Sequence, residues 1–173
     1  MACRPTAQSM LITLAHIGSK SAGARAAKRA DYESLIRLYV ERVQPYAQCQ
    51  MQGFATEAAF LDWIAGTKSS GKISRAAPIP VLLDSRGRQL RSEEFAAWVG
   101  TRRDNGAQHL VFAIGPADGW SETALARVRE SSLGMLLSLG PMTLAHDLAR
   151  LVMAEQMYRA FTILHNHPYH SGH

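Results

Sequence analysis

Short apolar runs separated by helix-length amphipathic segments limit the fold of this chain more than any other feature. The runs fall at residues 11–17, 46–51, 79–83, 109–114 and 133–139 and read as strands, the last two as buried ones. Between residues 25 and 43, Tyr32, Leu35, Ile36, Tyr39, Val40 and Val43 recur at steps of three and four, which predicts one buried helical face stopped before Pro45. Further helices are expected over residues 56–65 with Thr56 as N-cap, from Ser92 to Asn105 and Gly106, over residues 122–130, and over residues 144–161. Ser92 is expected to cap its helix, with Glu93 and Glu94 facing the positive end of the helix dipole. A turn is expected at residues 85–88. Strand and helix in alternation predict an α/β fold with a mainly parallel sheet and helices on both faces.

At 173 residues and 47% hydrophobic composition the chain suits one compact core, taken as a single domain over residues 10–173. Residues 1–9 read as a disordered extension, or Met10 as the true start. The apolar run from Met10 to Ile17 falls well short of the ~20 residues that span a bilayer, and no clear cleavage site follows it, so a soluble cytoplasmic protein with no membrane partner is expected. Cys3 and Cys49 have no paired-ligand spacing, which agrees with a reduced compartment. Nineteen Lys and Arg against fourteen Asp and Glu favour an anionic partner, nucleic acid first.

Two motifs tempt and fail. Residues 66–73, GTKSSGKI, nearly spell a phosphate-binding loop, but Ile73 stands where a magnesium-ligating Ser or Thr is required, and Pro78 and Pro80 follow in place of a helix. A basic loop remains, in which Lys68, Lys72 and Arg75 are candidates for RNA phosphate contact. The terminal HNHPYHSGH is rich in histidine but lacks Cys or acidic partners on defined elements, so no native metal is expected. More telling are three loops that follow three strands, at residues 83–87, 115–120 and 139–144. Ligands collect at the carboxyl ends of parallel strands, and Gly115 and Gly140 permit close backbone approach or positive φ, so these loops are expected to converge on one pocket.

Phe112 to Trp120, FAIGPADGW, then residues 138–161, SLGPMTLAHDLARLVMAEQMYRAF, then the closing NHPYH give a chain that resembles the ribosomal large-subunit pseudouridine N3-methyltransferases of the SPOUT superfamily. The resemblance is strong over residues 81–170 and thinner over residues 10–43. It implies a C-terminal trefoil knot and S-adenosylmethionine as cofactor, held at Leu83, Gly115, Leu139, Gly140, Pro141, Met142, Thr143 and Leu144. It also implies a homodimer in which one chain's tail meets the other's pocket. The implied substrate is a pseudouridine in the large-subunit (23S) ribosomal RNA stem-loop facing the small subunit, reached as ribosomal RNA or in the assembled ribosome. Its N3 proton must leave, which makes His170, or Tyr169 positioned by His170, the candidate base. His146 and Arg150 are candidates for ordering the tail or gripping phosphate. The chain departs from the family pattern at Pro116 and Ala117, where a second glycine and a proline are usual, and in a shortened segment between Gly53 and Pro80. A rival reading follows from Pro116: a non-catalytic ribosome-binding or assembly factor with a degenerate cofactor site.

Overall fold

The structure, a computed structural model, describes residues 10–18, 24–66 and 77–170, leaving aside the side chains of residues 24–29 and 170. Residues 1–9 and the basic loop with Lys68, Lys72 and Arg75 lie outside the described residues. The described chain runs β1 (Leu11–Ile17), α1 (Ala24–Val43), β2 (Gln48–Phe54), α2 (Glu57–Gly66), β3 (Ile79–Gln89), α3 (Ser92–Asp104), β4 (His109–Ile114), α4 (Glu122–Glu130), β5 (Met135–Ser138) and α5 (His146–Leu164). A 3-10 turn, Pro168–His170, closes it.

The five strands form one parallel sheet in the order β2-β1-β4-β3-β5. Each central strand feeds two cores, because successive side chains of a strand point to opposite faces. Ile12 and Leu14 of β1, Val81 of β3 and Leu110, Phe112 and Ile114 of β4 pack with Ile36, Phe95, Met153 and Phe161 on the face of α1, α3 and α5. Ala15, Ile17, Leu82, Val111 and Ala113 pack with Phe60, Ile64, Leu125 and Val128 on the face of α2 and α4. The expected α/β architecture with both faces covered is therefore the observed one.

Local expectations fare unevenly. Thr56 Oγ1 accepts the Ala59 N–H at 3.1 Å, as an N-cap should. Ser92 does not cap α3. Arg91 is the N-cap residue, its own N–H donating to Glu94 at 2.8 Å, and the Ser92 hydroxyl donates to Gln156 of α5 at 2.8 Å. Leu35, expected inward, is 46% exposed, because Ile36, Val40 and Val43 already fill the stripe against the core. Tyr46 is not in β2, which starts later at Gln48; its ring stacks on Phe161 at 5.9 Å. Leu133 likewise stays outside β5.

The expected turn at residues 85–88 is an irregularity inside β3. Leu83 pairs with Leu137 of β5, and so does Arg88, so the residues between them bulge away from the ladder. Gly87 returns the chain across β5: a Cβ there would lie 2.7 Å from the backbone of Leu136 and Leu137. Only glycine lets one segment pass so closely over another.

Candidate active site

The bulge of β3, the end of β4 and the end of β5 lie side by side, and the loops that leave them enclose a cavity of 370 Å³. This lies within the ~300–1,000 Å³ of small-molecule sites. Leu83, Gly115, Leu139, Gly140, Met142, Thr143 and Leu144 line it, seven of the eight residues implied as cofactor contacts; Pro141 does not. His146, at the start of α5, lines it too. The sheet topology thus gathers three loops that are far apart in sequence.

Each loop is held differently. After β5, Gly140 has φ +132°, a conformation in which a side chain is strained, and nothing lies within 4 Å of where its Cβ would be. Ser138 Oγ accepts the Gly140 N–H at 3.2 Å and donates to the Gly140 carbonyl at 3.0 Å, which fixes that turn. In the β3 bulge, Arg86 donates to both oxygens of Asp84, from Nε and Nη2, each at 2.9 Å, and its N–H also reaches Oδ1 at 2.9 Å. Those bonds lower the Asp84 pKa below its ordinary value, burial opposing, so the carboxylate is ionised at neutral pH. Asp84 is the one carboxylate lining the cavity among the described residues. After β4, Gly115 has an unexpected neighbour. A Cβ there would lie 2.8–3.0 Å from the indole of Trp120, whose Nε1–H donates to the Leu83 carbonyl at 2.9 Å.

His146 sits edge-on to His16 of β1, ring centroids 6.1 Å apart. Burial lowers its pKa below the ordinary histidine value, with the Asp147 carboxylate opposing, so the ring is neutral near pH 7. Arg150, expected to grip phosphate or order the tail, is 1% exposed. Its Nη1 donates to Glu33 of α1 at 2.6 Å and to Asp147 at 3.2 Å, so its charge ties two helices together and is not offered to a phosphate.

Tyr169 is not a cavity residue of its own chain. Its ring stands edge-on to Tyr158 at 4.7 Å, the Arg159 guanidinium lies 5.2 Å from its centroid, and its hydroxyl donates to Glu155 at 3.2 Å. Burial, then the Tyr39 hydrogen bond and the Glu155 charge, push its phenol upward, so it stays protonated. His170 ends the same turn. Sequence reasoning missed Asp84, Ser138 and Trp120. Asp84 directly follows a recognised contact and had a usable signal there; Trp120 stands only as the last residue of the expected loop at residues 115–120. Among the described residues, no three His, Cys, Asp or Glu side chains gather as a metal site needs, and no helix is long and apolar enough to cross a membrane. Burial pushes the Cys49 thiol up to about 12, so it is protonated at neutral pH.

A fold of this kind, with a cavity beside the β3 bulge and the ends of β4 and β5, has counterparts among known proteins. The family described as "Predicted SPOUT methyltransferase" matches residues 10–170, and the chain belongs to that family. Its relatives include proteins named ribosomal RNA large subunit methyltransferase H. That of Koribacter versatilis is 42% identical over 146 residues, covering 84% of this chain and 92% of the relative. That of Xanthobacter autotrophicus is 35% identical over 170 residues, covering 93% and 99%. That of Pelobacter propionicus is 36% identical over 135 residues, covering 76% and 85%.

Proposed function

We propose that this protein transfers a methyl group from S-adenosylmethionine to N3 of a pseudouridine in large-subunit ribosomal RNA, working in the cytoplasm as a homodimer. The observation that carries the reading is the single cavity into which Leu83, Gly115 and the loop from Leu139 to Leu144 converge.

The cavity's chemistry fits that cofactor. Leu83, Ile114, Leu137, Leu139 and Leu144 offer apolar walls to a flat ring, and the glycine loops offer exposed backbone. Bound there, the cofactor supplies an electrophilic methyl group on a positively charged sulfur. The protein's own part is to hold the groups in line. Gly140, in a backbone conformation that a side chain would strain and open on its Cβ side, lets the backbone approach a ligand, and Ser138 keeps that turn in one shape. Asp84, held ionised by Arg86, is too weak a base for an imide proton, and its charge is already paired with that guanidinium. Proton removal falls to the tail, with His170 as base, while Tyr169, whose hydroxyl donates to Glu155, anchors that tail on α5. Because Tyr169 packs away from its own cavity, the tail serves the cavity of a second copy.

Two measurements test the reading. Calorimetry with S-adenosylmethionine is expected to show one site per chain, and its absence supports a non-catalytic ribosome-binding factor instead. Mass spectrometry of ribosomal RNA from cells lacking the gene is expected to show loss of one methyl group from a pseudouridine; an unchanged modification pattern refutes the assignment.

A further inference from the structure

The residue that joins the cavity's loops is Trp120. It is 6% exposed, and its indole contacts two cavity segments at once. Nε1–H donates to the Leu83 carbonyl at 2.9 Å, fixing the end of the regular β3 ladder. The ring lies where a Cβ of Gly115 would sit, with Cε2, Nε1 and Cδ2 at 2.8, 2.9 and 3.0 Å. Gly115 is therefore small because the indole needs the space, a reason separate from ligand approach. The ring also packs on Phe60 of α2, centroids 5.5 Å apart. The next residue, Ser121, caps α4 by accepting the Ala124 N–H, and both its N–H and its hydroxyl donate to Glu57 at the start of α2. The aromatic cluster of Phe54, Phe60 and Trp63 thus backs the cavity through one side chain.

We propose that Trp120 is a positioning residue for the cofactor: its indole sets the separation of the Leu83 and Gly115 loops and so the width of the cavity between them. The inference rests on the cofactor reading above and adds a residue to it. A group that merely fills the core affects stability; one that spaces two binding loops affects affinity out of proportion to stability.

Trp120→Phe keeps an aromatic ring against Phe60 and Gly115 but removes the donor to Leu83. Losing one hydrogen bond that orders a binding loop is expected to weaken S-adenosylmethionine binding about three- to tenfold by calorimetry. The second variant pair reads the steric contact. Gly115→Ala in the native background pushes the indole aside and is expected to weaken binding by a similar factor. In a Trp120→Leu background the same Gly115→Ala change is expected to cost less than about twofold, because the smaller side chain leaves room for the methyl. Thermal unfolding of each variant gives the stability change for comparison. Equal costs of Gly115→Ala in both backgrounds, or unchanged affinity in Trp120→Phe, overturns the inference while leaving the cofactor reading intact. No binding of S-adenosylmethionine by the unaltered protein overturns both.

Discussion

The cavity loops and the NHPYH tail both stand out in the sequence, yet the fold treats them in opposite ways. The loops at Leu83, Gly115 and Leu139 to Leu144 meet within one chain, because parallel strands β3, β4 and β5 bring their carboxyl ends to one edge. The tail folds back on α5 at Glu155, Tyr158 and Arg159. Glu155 is nine residues beyond His146, about 13 Å along a helix. The cavity loops thus lie together within the chain, while Tyr169 of the tail packs on α5 away from them. On the proposed reading, that division calls for a second copy to bring a tail to the cavity.

Removing residues from Asn166 onward separates the two regions most severely. Methyl transfer to ribosomes is expected to fall by about a hundredfold or more, while S-adenosylmethionine affinity stays within about twofold. Stability also drops, by about 1–2 kcal/mol, since Tyr169 is half-buried against α5. Transfer at the intact rate by the truncated protein removes the tail from the mechanism. Mixing chains sharpens the comparison further. Tail-less chains combined with chains carrying Gly140→Val are each inactive alone, but together they are expected to regain part of the activity, because one supplies a sound cavity and the other a sound tail. Recovery absent despite mixed dimers seen by native mass spectrometry places the tail's action within one chain.

A smaller effect is expected at Gly140 itself. Its φ of +132° is strained for a side chain, so Gly140→Ala costs about 1–3 kcal/mol, divided between lower stability and weaker cofactor binding. Urea unfolding and calorimetry on the same variant measure the two parts; no change in either removes the backbone argument for this loop.

The smallest effect concerns pH. Folding lowers the His146 pKa below the 6.5 of a free histidine, so below pH 6.5 the unfolded chain binds a proton that the folded chain resists. Stability from this group is complete above pH 6.5 and is lost as pH falls from 6.5 to the lowered value. The groups around it are His16 on β1 and Asp147 and Arg150 on α5. His146→Gln is expected to flatten the difference in urea-unfolding stability between pH 7.5 and pH 5.5, and an unaltered difference assigns the pH dependence elsewhere.

Alternation of short apolar runs with helical stripes was enough, from the sequence, to give an α/β sheet covered on both faces. That pattern is local: strand residues two apart and helix residues three or four apart declare their own faces. The loop residues were legible for a similar reason, since glycine directly after a buried strand marks a place where backbone must turn or approach. Contacts between distant residues carry no such periodicity. Arg150 and Glu33 are 117 positions apart, and Trp120 and Leu83 are 37 apart. A basic residue early in a helix reads as a phosphate ligand until a carboxylate from another helix buries it. Glycine at 115 gives no hint of the Trp120 indole packed against it, and Tyr169 gives no hint of its packing on α5. Side-chain type and spacing determined which elements form and where their loops must turn; only the packing of those elements decided which charges are paired, because pairing depends on residues that no local pattern links.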